Sequence, residues 1–297
     1  MESALIYFLQ LVVSGLSVGS IYAIIGIGYV IIYKSTKILN FAHGEIMMIG
    51  AYLCMALISR FHFGFTAALI VTLLFSALMG IVLERLIFRP MIGQPVFAAV
   101  MITLGLSILL RTSTGMVFGY GNVVFPSPFS EEPIVISEIV ISHAHMWTIL
   151  VSCGVVCMLV MLFRYSSIGI SMRAAAENQI SAFIIGINVK RMFSLTWLIA
   201  AVTGSLAGVL LSNVHVMNTN LSMVAIKAFP AIILGGLDSL GGALLGGLVI
   251  GVVENLVGGY LEVYIGGIKE ISVYILLFVI LIIKPYGFFG TEEIEKV

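Results

Sequence analysis

The stretch LIYFLQLVVSGLSVGSIYAIIGIGYVIIY, residues 5–33, holds no charged side chain and runs straight into Lys34. A bilayer core about 30 Å thick is crossed by roughly 20 helical residues, so this run is long enough to span and to project beyond the core. Water offers such a segment no stable place. The composition extends the same reading to the whole chain of 297 residues: 61% is hydrophobic, 9% is charged, and 31 glycines sit inside the apolar runs rather than between them. With a mean hydropathy of +1.19, a soluble fold would expose far too much apolar surface. Lipid accepts that surface, and glycine there lets helix backbones touch.

Further apolar runs cover residues 41–59, 63–83, 96–118, 146–163, 192–213 and 271–283. Between 225 and 256 the pattern changes, because Pro230, Gly235, Gly236, Asp238, Gly241 and Gly242 split the run into a short piece and a longer one. Unwound backbone at membrane depth is tolerated only when buried in protein or lining a cavity. The predicted fold is therefore all-α: a polytopic integral membrane protein of about seven to eight transmembrane helices, with a glycine-rich broken or re-entrant segment at 225–256.

Loop charges set an expected orientation. Lys34 and Lys37, Arg85 and Arg89, then Arg164, Arg173, Lys190 and Arg191 fall in alternate loops, while residues 119–145 carry Glu131, Glu132 and Glu138 with no Lys or Arg. The basic loops are expected inside and the acidic loop outside. The first run has no basic residue before it and is expected to stay in the mature chain as a spanning helix.

Several functions are excluded or disfavoured by what is missing from the sequence. It has no Gly-x-x-x-x-Gly-Lys-Ser/Thr loop, no Gly-x-Ser-x-Gly elbow and no His-Glu-x-x-His pair, so nucleotide hydrolysis, serine hydrolysis and zinc proteolysis lack their groups. No metal site is expected: Cys54, Cys153 and Cys157 lack ligand spacing, and His43 and Glu45 point to different helix faces. A formal net charge of zero argues against nucleic-acid binding. Polar groups scattered through apolar runs favour transport, since each is costly in lipid unless it faces a cavity or a partner.

Those polar groups define the candidate sites. Asn40, Phe41, His43, Gly44 and Glu45 open a predicted helix, with Asn40 placed as its N-cap and Glu45 near its positive end. The block is a helix start packed by Gly44, a translocation or interface element, or both. Arg111 and Glu254 are charges inside apolar runs that form a possible pair, and Glu84, beside Arg85, reads as interfacial. Met172, Ala176, Ile180, Phe183, Ile184 and Ile187 recur at helical spacing, with Arg173, Glu177 and Ser181 on the opposite stripe, which predicts one short amphipathic helix ended by Gly186. Gly15 and Gly19, Gly204 and Gly208, Gly242 and Gly246, and Gly247 and Gly251 each form a Gly-x-x-x-Gly contact face.

Gly19-Ser-Ile-Tyr-Ala23 followed by Asn40-Phe-Ala-His-Gly-Glu45 resembles the permeases of the branched-chain amino acid ABC importers, in their LivH-type rather than LivM-type form. Arg173-Ala-Ala-Ala-Glu177-Asn178 with Ile185-Gly-Ile-Asn188 is similar to that family's cytoplasmic loop. Lys227-Ala-Phe229 with Leu234-Gly-Gly-Leu-Asp-Ser-Leu-Gly-Gly-Ala243 is similar to its late glycine-rich block. The likeness runs from about residue 10 to Lys284-Pro-Tyr-Gly-Phe-Phe-Gly290. It implies a single permease domain over 1–297, with a coupling loop at 164–191 in which Arg173, Ala174, Ala175, Ala176, Glu177 and Gly186 meet an ATPase. It also implies a multi-pass protein of the bacterial inner (cytoplasmic) membrane with defined partners: a LivM-like second permease, two cytoplasmic ATPases and a periplasmic or extracellular substrate-binding protein. No cofactor is expected on this chain, because ATP is hydrolysed by the partners. Urea, short amides or other amino acids are alternative substrates, and a passive channel is the alternative class.

Overall fold

The computed structural model describes residues 2–36, 38–91, 94–130, 132–136, 139–284 and 287–290. Lys37, Glu131, Glu138, Pro285 and Tyr286, used above for orientation and for the tail, lie outside the described residues. The chain is helical almost throughout: α1 Glu2–Thr36, α2 His43–Ser59, α3 Phe65–Leu83, α4 Val96–Phe118, α5 His143–Tyr165, α6 Ser167–Glu177, α7 Gln179–Ile184, α8 Val189–Ser212, α9 Val224–Gly235, α10 Leu240–Leu261 and α11 Ile268–Ile283. A short antiparallel hairpin, β1 Ile134–Ile136 with β2 Ile139–Ile141, decorates the acidic loop.

Among the described residues, α1, α3, α4, α5, α8 and α10 are long and apolar enough to cross a membrane, and two shorter apolar helices cover His43–Ser59 and Leu221–Gly235. Large apolar side chains such as Ile70, Leu74, Ile108, Leu109, Met158 and Met161 stand exposed on α3, α4 and α5. Surface of that kind belongs against lipid or another membrane helix, and the fold is polytopic as the apolar runs predict.

Residues 1–30, 129–156 and 227–297 form one compact unit; residues 31–128 and 157–226 form the other. In the first, α1 meets α10 through glycine: Gly15 and Gly19 lie against the backbone of Gly247, Gly251 and Val252, where no Cβ fits. Backbones that approach this closely gain dispersion contacts that lipid cannot supply. The glycine-rich segment is broken at Gly236, whose φ of +98° suits glycine. Ser239 then caps α10, its Oγ accepting from Gly242 N at 3.0 Å. Gly242 and Gly246 pack against Gly235 and Ala231 of α9, and the freed carbonyls of Leu234 and Gly235 accept from Phe288 N and Phe289 N at 2.8 and 3.2 Å. The break leaves these backbone groups satisfied, as membrane depth requires.

In the second unit, α8 is the centre, buried along most of its length. It carries Trp197, stacked on Phe88 with ring centroids 3.9 Å apart, in a core with Ile32, Ala42, Leu106 and Ala200. Ser205 accepts from Ser76 at 2.6 Å, tying α8 to α3. Glu84 is buried rather than interfacial, and its partner is Arg89 rather than the adjacent Arg85: Arg89 Nε and Nη2 donate to its two oxygens at 2.9 and 2.7 Å, and Ser194 Oγ adds a third bond at 2.7 Å. One turn of wider helix, Glu84–Phe88, turns the carboxylate inward.

Candidate functional site

The segment between α1 and α2 is held by local side-chain bonds. Thr36 Oγ1 accepts from Ile38 N at 3.3 Å, and Asn40 Oδ1 accepts from Ala42 N at 3.1 Å while Asn40 O accepts from His43 N at 3.1 Å. The residue at the cap position is Ala42, which makes no side-chain bond. Asn40 is thus not the N-cap expected of it. It builds an Asx turn two residues earlier, the other local use of a short amide. Removing that bond by Asn40→Ala should lower the thermal stability of the detergent-purified protein by about 1 kcal/mol; an unchanged unfolding midpoint would show the turn forms without it.

The first turns of α2 are clasped on two sides. Gly204 and Gly208 of α8 leave room for the His43 ring and for Met47, while Gly44 lies directly on the backbone of Ser222 and on Ala225. His43, Gly44 and Glu45 are all buried and Phe41 is half-buried. The start of α2 therefore abuts the turn Leu221–Met223 that leads into α9, so the two short apolar helices begin side by side.

α4 runs alongside in the same direction. Thr103 Oγ1 lies 3.5 Å from Leu39 O, Arg111 Nη2 donates to Glu45 Oε1 at 2.7 Å, and the Tyr52 and Phe118 rings sit 5.1 Å apart. The Glu45 side chain is almost fully buried, whereas Arg111 keeps 27% exposure and lies 3.7 Å from Met223 Sδ. The possible Arg111–Glu254 pair is not what forms. Glu254 Oε2 accepts from Tyr22 Oη at 2.7 Å, and its Oε1 accepts from Lys227 Nζ at 3.1 Å; Lys227 also reaches the exposed Glu270 at 3.4 Å. Lys227 and Tyr22 were not singled out by sequence reasoning as site residues. A lone lysine inside the apolar run 221–235 is the signal for the first, since such a charge needs a counter-ion.

The loop at 164–191 departs from the single amphipathic helix predicted for it. Asn178, at φ −150° and ψ 107°, breaks the helix, ending α6 and capping α7 by accepting from Ser181 N at 2.9 Å. An asparagine that caps so well competes with continuation of the helix. On α6, Met172 and Ala175 face inward, Ala174 and Ala176 are half-buried, and Arg173 and Glu177 are exposed, with Arg173 donating to Arg164 O at 3.5 Å. On α7 the expected apolar stripe faces outward: Ile180, Phe183 and Ile184 are each about three-quarters exposed. Gly186 ends α7 as predicted, at φ +87°, with its N–H bonded to Phe183 O and Ile187 N–H bonded to Ala182 O. Ile180, Phe183, Ile187 and Phe193 line an open groove of about 680 Å³ beside it.

Residues 11–284 match the family described as branched-chain amino acid transport system / permease component. The chain belongs to that family. The high-affinity branched-chain amino acid transport system permease protein LivH of Salmonella typhimurium is 35% identical over the whole of both chains, and LivH of Escherichia coli strain K12 is 33% identical over the same extent. The permease protein BraD of Pseudomonas aeruginosa is 32% identical over 98% of each chain. The family and these full-length relatives bear out the resemblance carried by the Asn40–Glu45, Arg173–Asn188 and Lys227–Ala243 blocks.

Proposed function

We propose that this chain forms half of the translocation path of an ATP-driven importer for branched-chain amino acids in a bacterial cytoplasmic membrane. The full-length likeness to permeases named for that transport carries the reading. A LivM-like second permease completes the path, two cytoplasmic ATPases drive it, and an external binding protein delivers the amino acid. The sequence supports this division of labour, since it lacks a phosphate-cradling loop of its own. Tagged chain purified from its native membrane should bring down one further permease and an ATPase pair; recovery of the chain alone from mild detergent would count against the assembly.

Within that assembly, α6 and α7 are the elements that meet the ATPase. The exposed face of α7 supplies the apolar contact, and the inward face of α6 passes the motion to α8. Ala175, almost fully buried, is a packing residue in this arrangement rather than a docking one. Phe183→Glu should therefore cut ATPase recovery at least tenfold while leaving the chain folded, because a charge placed at the centre of an apolar contact is desolvated on docking. Ala175→Glu should instead lower the yield of folded chain. Equal ATPase recovery by Phe183→Glu and the unaltered chain would remove α7 from the interface.

A further inference from the structure

Among the described residues, three carboxylates, Glu45, Glu84 and Glu254, are deeply buried beside cations, and they are not equally satisfied. Both oxygens of Glu84 are bonded, by Arg89 and Ser194, and both oxygens of Glu254 are bonded, by Tyr22 and Lys227. Glu45 has a single bond, from Arg111 Nη2 to Oε1, and Oε2 has no partner among the described residues. Arg111 is equally incomplete: its Nε–H is buried with no hydrogen-bond partner among the described residues. Nearby, Asn40 is 1% exposed and its Nδ2, on the amide whose Oδ1 closes the turn before α2, is also buried without a partner among the described residues. Unfilled buried donors of this kind are expensive, and a permanently closed structural pair would be expected to satisfy them as the other two pairs do.

The geometry points to a transit site for the zwitterionic head of an α-amino acid, read by Arg111 through the carboxylate and by Glu45 through the ammonium. This rests on the transport function proposed above and adds where in the chain the cargo is recognised. The electrostatic argument is one of substitution. A lone anion or cation entering between the two side chains would leave one of them buried and unpaired, whereas a zwitterion gives each a new partner as the 2.7 Å pair opens. The guanidinium fork suits a carboxylate, and its free Nε–H is one of the two parallel donors a bidentate contact uses. Glu45 Oε2 is available to the ammonium.

Access and surroundings agree. Arg111 keeps 27% exposure on α4 between the apolar Ile108-Leu109-Leu110 and the polar Thr112-Ser113-Thr114, and a charge set within an apolar span is accommodated by water or protein rather than by lipid. Two helices begin close by, α2 at His43 and α9 just after the turn Leu221–Met223, and helix starts carry partial positive charge that favours a carboxylate. Met223, beside Arg111 and 42% exposed, offers a pliable apolar surface for an aliphatic side chain.

The test uses the assembled transporter in lipid nanodiscs without its binding protein, and measures labelled leucine binding with leucine amide and 4-methylpentanoate as competitors. The first competitor keeps only the ammonium and the second only the carboxylate. Unaltered transporter should prefer leucine to each by about tenfold or more. Arg111→Gln should erase the preference over leucine amide, and Glu45→Gln the preference over 4-methylpentanoate, each weakening leucine by about ten- to a hundredfold. A merely structural pair would alter the amount of assembled complex and leave those ratios unmoved. Should either variant fail to assemble, the ratios of the unaltered transporter still decide, and equal binding of leucine and leucine amide would overturn the inference. Leucine uptake driven by ATP without these preferences would sink this site alone; absence of uptake would sink the transport reading as well.

Discussion

Gly251→Leu should all but abolish recovery of folded chain from the membrane. A Cβ at Gly251 would meet the Gly19 backbone and the Gly15 carbonyl, and backbone cannot rotate aside as a side chain can. Separating α1 from α10 along that seam forfeits many close contacts at once, so the cost should exceed the usual overpacking range, at about 3 kcal/mol or more. The matched control is Gly154→Leu on α5, an exposed position where an added Cβ meets nothing within 4 Å, and the expected change is within about 0.5 kcal/mol. Fluorescent size-exclusion profiles of the two variants check this; a monodisperse peak of normal height for Gly251→Leu would mean the seam is looser than described.

The second large effect belongs to Lys227. Replacing it with methionine leaves Glu254 buried with only Tyr22 as a donor, and stranding one member of a buried pair costs about 3 to 5 kcal/mol. The double variant Lys227→Met, Glu254→Leu removes both charges and should recover most of that loss, because the desolvation penalty leaves together with the attraction. Thermal unfolding in detergent distinguishes the cases. Additive losses in the double variant would show that the two residues do not act as a pair.

The parts of this fold that were legible from sequence are those written in local pattern. The apolar run at 96–118 became α4 with the same limits, and the run at 192–213 became α8 with small shifts at its ends, because length and hydropathy decide a membrane helix almost alone. Glycine spacing was equally direct: the four Gly-x-x-x-Gly faces lie where helices touch closely. Charge pairing was not legible. Arg111 and Glu45 are 66 residues apart and Lys227 and Glu254 are 27 apart, and no periodicity joins positions on separate helices. The loop at 164–191 misled for a different reason. Its apolar spacing suggested a continuous helix, but Asn178 bonds Ser181 N and stops α6, turning Ile180, Phe183 and Ile184 outward. Asn40 shows the converse: the amide near a helix start was legible, while the choice between a cap and a turn two residues earlier depends on backbone angles.

The most direct test is uptake of labelled leucine into proteoliposomes, comparing this chain alone with the chain assembled with a second permease, two ATPases and the binding protein. The account predicts concentrative uptake only by the full assembly, only with ATP on the ATPase side, and none by the chain alone. Leucine equilibrating through the chain alone, at a rate indifferent to ATP, would contradict it and make this protein a channel.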